Sequence, residues 1–124
     1  MMKKTLCSIV AALCCLGLLP QTTPAQTVFK TPEAAANALF AAWRAKDRKK
    51  AALAADSKAV AKLFSTKFIA RRKFAGCSDE SETEKNLFSC VYEDPTDNLF
   101  NVAFETIKKG KAWRVRWVTF AAEN

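Results

Sequence analysis

The sequence predicts an α+β fold in which helices from the first half of the chain pack on an antiparallel sheet from the second half. Apolar residues recur with a helical period between positions 31 and 64. The stretch from Phe74 to Phe120 instead alternates apolar and polar residues in runs separated by turn residues. Because no internal repeat or low-complexity linker interrupts the 124-residue chain, we expect one domain.

The first 25 residues have the pattern of a secretory signal peptide. Lys3 and Lys4 precede an apolar run from Leu6 to Leu19, and the small residue Ala25 stands before the expected cleavage site. The apolar run is too short to span a membrane comfortably. We therefore expect an exported protein, periplasmic or secreted, whose mature domain covers residues 26–124 and has no transmembrane segment.

A long helix is predicted to begin at Thr31, which is a good N-cap residue. Pro32 suits the first helical position, and Glu33 lies in the first turn, where the helix dipole favours a carboxylate. The apolar stripe of this helix has the spacing i, i+3, i+4 and i+7 and consists of Ala36, Leu39, Phe40 and Trp43.

Two shorter helices are expected to follow. One runs from Arg48 to Ala55, with Asp47 as its cap and Leu53 facing inward. The next begins with Ser57 as its cap. Its apolar side consists of Val60, Leu63 and Phe64. Around Phe68 the pattern fits either a first strand or a bridging segment.

Three or four strands of a meander are predicted after residue 73. One covers Phe88 to Glu93, and another covers Leu99 to Ile107. The second of these places three apolar residues on one buried face: Phe100, Val102 and Phe104. The last strand has an aromatic face with Trp113, Val115 and Trp117, and a cationic face with Arg114 and Arg116.

Two connections have recognisable turn chemistry. One predicted strand ends at Glu93 and the next begins at Leu99. Pro95 fixes φ in the turn between them. Gly110 is suited to the positive φ of a three-residue hairpin with a bulge.

Cysteine usage predicts a disulfide. Three of the five cysteines belong to the predicted leader, which leaves Cys77 and Cys90 in the mature chain. An isolated pair in an exported chain favours a disulfide, worth roughly 3 kcal/mol in the chain-entropy model. Two buried free thiols are the alternative. With no histidine in the chain, two cysteines do not complete a structural zinc site, and we expect no metal.

The mature chain is basic. Removing Lys3 and Lys4 with the leader lowers the net charge from +8 to +6. The cations cluster, and they either contact a polyanion such as an envelope surface or simply solvate the protein. The candidate polyanion contacts are Arg71, Arg72, Lys73, Arg114 and Arg116. No aromatic residues interleave with the basic runs, so we expect no nucleic-acid partner.

Four segments carry a family resemblance. They are Thr31-Pro32-Glu33-Ala34-Ala35, Ala42 to Arg48, Val60 to Phe64, and Cys77 together with Cys90-Val91-Tyr92. Across most of residues 30–120 the chain resembles small exported proteins of the nuclear transport factor 2-like (cystatin-like) group. The resemblance implies a cone, in which a curved antiparallel sheet wraps against the long helix. Enzymatic relatives use its opening as an active site, and others bind ligands or partners there.

The residues favour binding over catalysis. Without histidine there is no Ser-His or Cys-His nucleophile pair, and the two mature glycines form no phosphate-binding loop. We therefore assign no catalytic residue and no cofactor, and we expect a non-catalytic module that binds a small apolar ligand or a protein partner. The expected lining of the cone is Phe40, Trp43, Phe100, Phe104, Trp113 and Trp117.

Two alternatives stay open at this point. The first is an unusual or vestigial enzyme of the same fold that uses Tyr92, the sole tyrosine, with a carboxylate. The second is a basic protein that binds a polyanion or an envelope surface. A filled interior would place the function on the surface, whereas an open interior would favour an apolar ligand.

Overall fold

The computed structural model describes residues 28–123. Its elements in chain order are the helices α1 (Pro32–Arg44), α2 (Arg48–Ala54) and α3 (Ser57–Phe64), and the strands β1 (Lys73–Asp79), β2 (Leu87–Glu93), β3 (Val102–Lys109) and β4 (Ala112–Phe120). The predicted α+β fold is confirmed. The predicted signal peptide lies outside the described residues and stays a prediction. Within residues 28–123, no helix is long and apolar enough to cross a bilayer.

The start of α1 agrees with the prediction. The Thr31 hydroxyl accepts a hydrogen bond from the backbone N–H of Ala34 at 3.1 Å, and Pro32 is the first helical residue. This arrangement satisfies one of the N–H groups that a helix leaves unpaired at its N-terminus.

The two shorter helices differ from the prediction in detail. Asp47 caps α2 as expected, accepting from the N–H of Lys50 at 3.1 Å. The cap position of α3 is Asp56, and Ser57 is its first helical residue, so the predicted cap was wrong by one residue. Leu53 does not face inward, since its side chain is 48% exposed. Ala51 and Ala54 face the core instead, because small residues let the short helix approach α1 closely.

The sheet is an open antiparallel meander with the order β1-β2-β3-β4. Phe68 lies in the bridging segment between α3 and β1. The outer edge of β4 is partly covered, because its backbone groups bond to chain segments that precede the sheet. Trp113 N–H donates to the carbonyl of Phe29, and Asp56 N–H donates to the carbonyl of Val115, both at 2.9 Å.

The hairpin between β3 and β4 has a two-residue loop. Lys109 pairs with Ala112, so the predicted three-residue loop was wrong. Gly110 has a φ of 64°, as predicted. A positive φ at the first of two central positions is the pattern of a type II′ turn, whose twist suits a hairpin.

Phe100 does not belong to a strand. Residues Asn98–Phe100 form a 3-10 turn, because Asp97 Oδ1 accepts a hydrogen bond from Leu99 N–H at 2.9 Å and closes the chain locally. Strand β3 therefore begins at Val102. Phe100 is 38% exposed, and its predicted place in the buried face was wrong.

Trp117 also lies off the predicted face. Thr106 pairs with Val115 and Glu105 pairs with Trp117, so Arg116 is an extra residue on β4. This β-bulge reverses the alternation beyond Val115. Val118 and Phe120 face the core, and Trp117 is 36% exposed.

Side chains occupy the space between α1 and the sheet. The rings of Phe40 and Tyr92 stack with centroids 4.1 Å apart, and Trp43 meets Phe120 at 6.2 Å. Phe104 is fully buried on the same face of the sheet. The apolar stripe of the long helix thus covers the meander, as expected.

The predicted disulfide is confirmed. Cys77 of β1 and Cys90 of β2 are direct partners across the two strands and are bonded through sulfur. Cys90 is buried in the main core cluster, and Cys77 packs against that cluster. The bond therefore ties the edge strand β1 to the body of the fold.

Candidate functional site

A pocket of about 420 Å³ opens at the surface where α1 and α3 both end. We call it the helical pocket. Its aromatic walls are Trp43, Phe64 and Phe68. Its polar lining consists of Lys46, Arg48, Ser65, Thr66 and Lys67. Both the volume and the mixture of apolar wall with a few polar groups fall in the range of small-ligand sites.

The end of α1 sets the position of Lys46. Lys46 N–H donates to the carbonyl of Trp43 at 3.1 Å, and Asp47 N–H donates to that of Ala42 at 2.9 Å. These two bonds define a Schellman motif, which requires a left-handed residue after the helix cap. Lys46 occupies that position with a φ of 57°. Glycine is the usual residue there, since a Cβ is disfavoured in this conformation.

The end of α3 brings the opposite wall into place. Ser65 Oγ donates to the carbonyl of Lys62 at 2.7 Å, and Thr66 N–H donates to that of Leu63 at 3.1 Å. The chain then turns back so that the Thr66 carbonyl accepts from Trp43 Nε1 at 3.2 Å. This bond fixes the indole in one orientation.

A perpendicular contact completes the apolar floor. The rings of Trp43 and Phe68 have centroids 5.0 Å apart and an interplanar angle of 87°. Such edge-to-face pairs are favourable beyond the area they bury. The floor of the helical pocket is thus a rigid pair of rings that belongs to the packed body of the domain.

Three cations line this opening, and a fourth, Arg44, lies over the ring of Phe68 in its lining. We call the four the basic rim: Arg44, Lys46, Arg48 and Lys67. The Arg48 guanidinium lies 5.1 Å from the ring centroid of Phe64, and that of Arg44 lies 5.8 Å from the centroid of Phe68. Cation–π contacts of this kind hold a guanidinium along an apolar wall while its N–H groups stay available. Across residues 28–123, none of the four forms an ion pair with a carboxylate.

The predicted polyanion residues have different surroundings. Arg71 Nε lies 2.6 Å from a carboxylate oxygen of Asp94, which is buried. Thr96 donates to the same carboxylate from its N–H and its hydroxyl. Burial alone would raise the pKa of the Asp94 carboxyl, but the hydrogen bonds from Arg71 and Thr96 lower that pKa to about 2.

Arg72 is an interior residue, only 5% exposed. Its guanidinium lies 5.2 Å from the ring centroid of Trp43 and 5.8 Å from that of Phe120, and its Nε donates to the carbonyl of Phe100. Burial lowers the pKa of Arg72, and the nearby Asp94 carboxylate acts in the opposite direction. The side chain is thus part of the packing between α1 and the end of β4.

The arginines of β4 are also paired. Arg114 Nε donates to Asp56 Oδ1 at 2.9 Å, and its other nitrogens reach backbone carbonyls at the end of α2. Arg116 forks onto Glu84 at 2.7 and 2.9 Å and bonds Glu105 at 2.7 Å. These hydrogen bonds raise the pKa of Arg116, and the one from Arg116 lowers the pKa of Glu84.

The structure does not bring the five predicted polyanion residues together. Arg72 contacts Phe120 at the last residue of β4, whereas Arg114 is the third residue of that strand. The two positions are six residues apart along β4, which corresponds to a distance of roughly 20 Å. Lys73 is exposed at the start of β1, and Glu93 is the residue opposite it in the register of β1 and β2.

The predicted cone lining divides into buried and exposed residues. Phe40, Phe104 and Trp113 are buried, and Phe100 and Trp117 are exposed elsewhere on the surface. Trp43 is the one member of the predicted set that lines the helical pocket. Lys46, Arg48 and Lys67 belong to basic runs that the sequence shows, but their convergence depends on how α1 and α3 pack.

Tyr92 is not paired with a carboxylate. Its hydroxyl donates to the amide oxygen of Asn37, and its ring is sandwiched among aromatic neighbours that include Phe40 and Phe104. Burial raises the pKa of the Tyr92 phenol. The geometry is that of a buried tyrosine whose polar end is satisfied.

Comparison of the chain with protein-family models, with curated proteins and with solved structures finds no match. The resemblance to the nuclear transport factor 2-like group stays a prediction.

Proposed function

We propose that this chain is a non-catalytic binding protein of an exported compartment and that it binds a small ligand in the helical pocket. The observation that carries the proposal is the combination, in one opening, of a fixed aromatic floor with polar groups converging from two helix ends. Apolar walls supply affinity, and the polar groups orient the ligand. Neither a protein surface of scattered charges nor a purely apolar groove offers both.

The interior of the fold is a poor alternative for a ligand. Trp43 is 2% exposed, and Phe104 and Val118 are fully buried in the space where an open cone would have its cavity. A ligand there would have to displace packed rings. Binding at the surface requires no such change.

A second surface groove lies between α1 and α2. It is lined mainly by alanines of α1 with Phe29, Leu53 and Lys50. Lys50 is its single charged group, so the groove has little to orient a ligand. The helical pocket, with hydroxyls and cations on several sides, is the better candidate for specific binding.

The chemistry of the lining supports binding without catalysis. The hydroxyls of Ser65 and Thr66 both donate to the carbonyl of Lys62, so neither is paired with a base. The remaining polar groups of the lining are lysine and arginine, and the sequence contains no histidine. A general acid–base pair needs two groups within hydrogen-bond reach of the reacting atom, and this lining offers none.

Export is supported by two features. The Cys77–Cys90 disulfide suits an oxidising compartment, and the first 25 residues have the pattern of a leader. We propose that the protein acts after removal of that leader.

The proposal is tested with protein purified from the export compartment and the neutral probe naphthalene-2-carboxamide. We expect the probe to shift the indole N–H signal of Trp43 in a ¹⁵N-correlated NMR spectrum, since this N–H donates to the Thr66 carbonyl and both residues line the pocket. Phe64→Ala should weaken this binding by about tenfold, because it removes one apolar wall. Phe100→Ala, an equally drastic truncation of an exposed phenylalanine, should leave it unchanged.

Two results would overturn the proposal. One is a wild-type Trp43 signal that moves neither with this amide nor with the corresponding acid, naphthalene-2-carboxylate, up to their solubility limits. The other is an effect of Phe100→Ala as large as that of Phe64→Ala. The dispersion of the remaining amide signals shows whether each variant is folded.

A further inference from the structure

We infer that the natural ligand of the helical pocket is a small amphiphilic anion, with a carboxylate or phosphate group on a flat apolar body. This inference rests on the proposed function and adds the chemical class of the ligand. It is carried by the difference between the cations at this pocket and the arginines of the sheet.

The arginines of β4 and of the segment just before β1 already have anionic or carbonyl partners. Arg71 is paired with Asp94, Arg114 with Asp56, and Arg116 with both Glu84 and Glu105. Within the described chain, the four members of the basic rim have no carboxylate partner. An anion placed in the opening would therefore meet several uncompensated charges at once, and such charge-assisted hydrogen bonds are the strong ones.

The conformation of Lys46 supports the same conclusion. Its φ of 57° lies in the left-handed region, where glycine is the usual residue after a helix. A lysine in this conformation adds a cationic residue to the lining of the pocket at the expense of backbone strain. A cation near a helix C-terminus is also favoured by the helix dipole, so the test below includes a variant of Lys46.

The aromatic walls define the rest of the ligand. Phe64 stands beside the floor formed by Trp43 and Phe68, and the guanidinium groups of Arg48 and Arg44 lie over the rings of Phe64 and Phe68. A flat body on this floor brings its acidic group near these guanidiniums. The pocket volume of about 420 Å³ limits that body to a few fused rings or a short folded chain.

A ligand with an acidic group on an apolar body has two possible sources: a free metabolite or the headgroup region of an anionic lipid. Both present an acid on an apolar body, and a vesicle arm of the experiment separates them. Attraction to polyanions in general would instead depend on the total charge of the protein and not on this pocket.

The experiment compares naphthalene-2-carboxylate with naphthalene-2-carboxamide, which have nearly the same shape and differ in charge. At low salt we expect wild-type protein to bind the carboxylate about tenfold more tightly than the amide. Arg48→Ala, Lys67→Ala and Lys46→Gly should each reduce that ratio to about threefold or less. Lys111→Ala removes the same charge from the hairpin tip at the far end of β4 and should leave the ratio unchanged.

The outcomes distinguish the two proposals. Equal binding of the two probes at the Trp43 indole would overturn the anion inference and leave the pocket as a binding site. If neither probe binds, the proposed function fails together with the inference. A reduction of the ratio by Lys111→Ala as large as that by Arg48→Ala would also overturn the inference, because the effect would then follow total charge.

Vesicles of phosphatidylglycerol in phosphatidylcholine provide the second arm. Co-sedimentation that Arg48→Ala weakens and that naphthalene-2-carboxylate competes away would support the inference and assign the ligand to lipid headgroups. Binding of the carboxylate without co-sedimentation would support a free small anion. Co-sedimentation insensitive to both Arg48→Ala and the carboxylate, with no preference between the probes, would overturn the inference in favour of a general cationic surface.

Discussion

The arginines at the sheet and the cations at the helix ends have the same charge but opposite surroundings. Arg71, Arg114 and Arg116 each meet a carboxylate, and Arg72 is enclosed between the rings of Trp43 and Phe120. The basic rim has aromatic neighbours and, among residues 28–123, no carboxylate partner. The first group is engaged by partners within the fold, and we propose that the second contacts a ligand.

This difference shows why a count of basic residues does not locate a binding site. A cation that already has its carboxylate offers little further attraction to an external anion, because the local field is neutralised. Arg71, Arg114 and Arg116 satisfy that condition. The relevant quantity is the charge left unpaired after folding, and within the described residues four such cations lie together where α1 and α3 end.

The largest expected effect separates the two groups by stability. Arg72→Ala should lower the free energy of unfolding by about 3 kcal/mol, because it empties an interior position and leaves the Phe100 carbonyl without its charged donor. Arg48→Ala should change it by about 0.5 kcal/mol, as is usual for an exposed position with a surface cation–π contact and no carboxylate partner. Urea unfolding of both variants measures the two values.

Similar losses of unfolding free energy in Arg72→Ala and Arg48→Ala would contradict the distinction between the two groups of cations. The basic rim would then be structural, and its unpaired charge would need another explanation. Arg72→Lys adds a finer test, since it keeps the charge but loses the planar group that lies over two rings.

A second prediction concerns acid. The folded pKa of Asp94 is about 2, well below the value of about 3.9 for an unperturbed aspartate. A depressed folded pKa stabilises the protein fully above the unfolded value, and the contribution is lost as pH falls through the folded one. The stabilisation from the Arg71–Asp94 pair should therefore disappear between about pH 4 and pH 2.

Asp94→Asn provides the measurement. The variant should be less stable than wild type at pH 6, and the difference should shrink toward pH 2 as the wild-type carboxyl becomes protonated. Glu82→Gln, at an exposed residue with no ion pair in the described part of the chain, should show no such convergence. A stability difference for Asp94→Asn that stays constant from pH 6 to pH 2 would contradict a pair that depends on ionised Asp94.

Much of the fold follows from local signals in the sequence. Thr31 and Asp47 cap their helices because a side-chain oxygen reaches an N–H three residues ahead. Gly110 takes the positive φ that its hairpin needs. Cys77 and Cys90 are the only cysteines of residues 28–123, and the bond between them was the one predicted. Each of these features depends on few residues and few alternatives.

Other features depend on contacts between distant segments. Trp117 leaves the core face because Arg116 is an extra residue in β4, where it reaches both Glu84 and Glu105. The alternating pattern in the sequence of β4 gives no indication of that bulge. Phe100 is exposed because a side-chain bond from Asp97 folds its segment into a 3-10 turn.

The helical pocket could not be derived from the sequence for the same reason. Trp43 and Phe68 are 25 positions apart, and the bond from the Trp43 indole to Thr66 that joins their segments is a tertiary contact. The two basic runs that supply Lys46 and Lys67 were visible, but which of their members remain unpaired is decided by folding. The sequence thus indicated the charge and not its location.

The smallest expected effect is the most specific, because a change at one residue, Lys46, should affect stability and ligand binding in opposite directions. Lys46→Gly and Lys46→Ala remove the same charge, but only glycine relieves the left-handed backbone at φ 57°. We expect the glycine variant to be more stable than the alanine variant by about 1 kcal/mol, the usual penalty for a Cβ in this conformation. Both variants should bind naphthalene-2-carboxylate equally weakly. If Lys46 served only the helix dipole, both variants would retain the wild-type preference for the carboxylate. If Lys46 holds an amine at the pocket, Lys46→Gly should match or exceed the wild-type stability while losing that preference, since the strain and the charge are then separable at a single position.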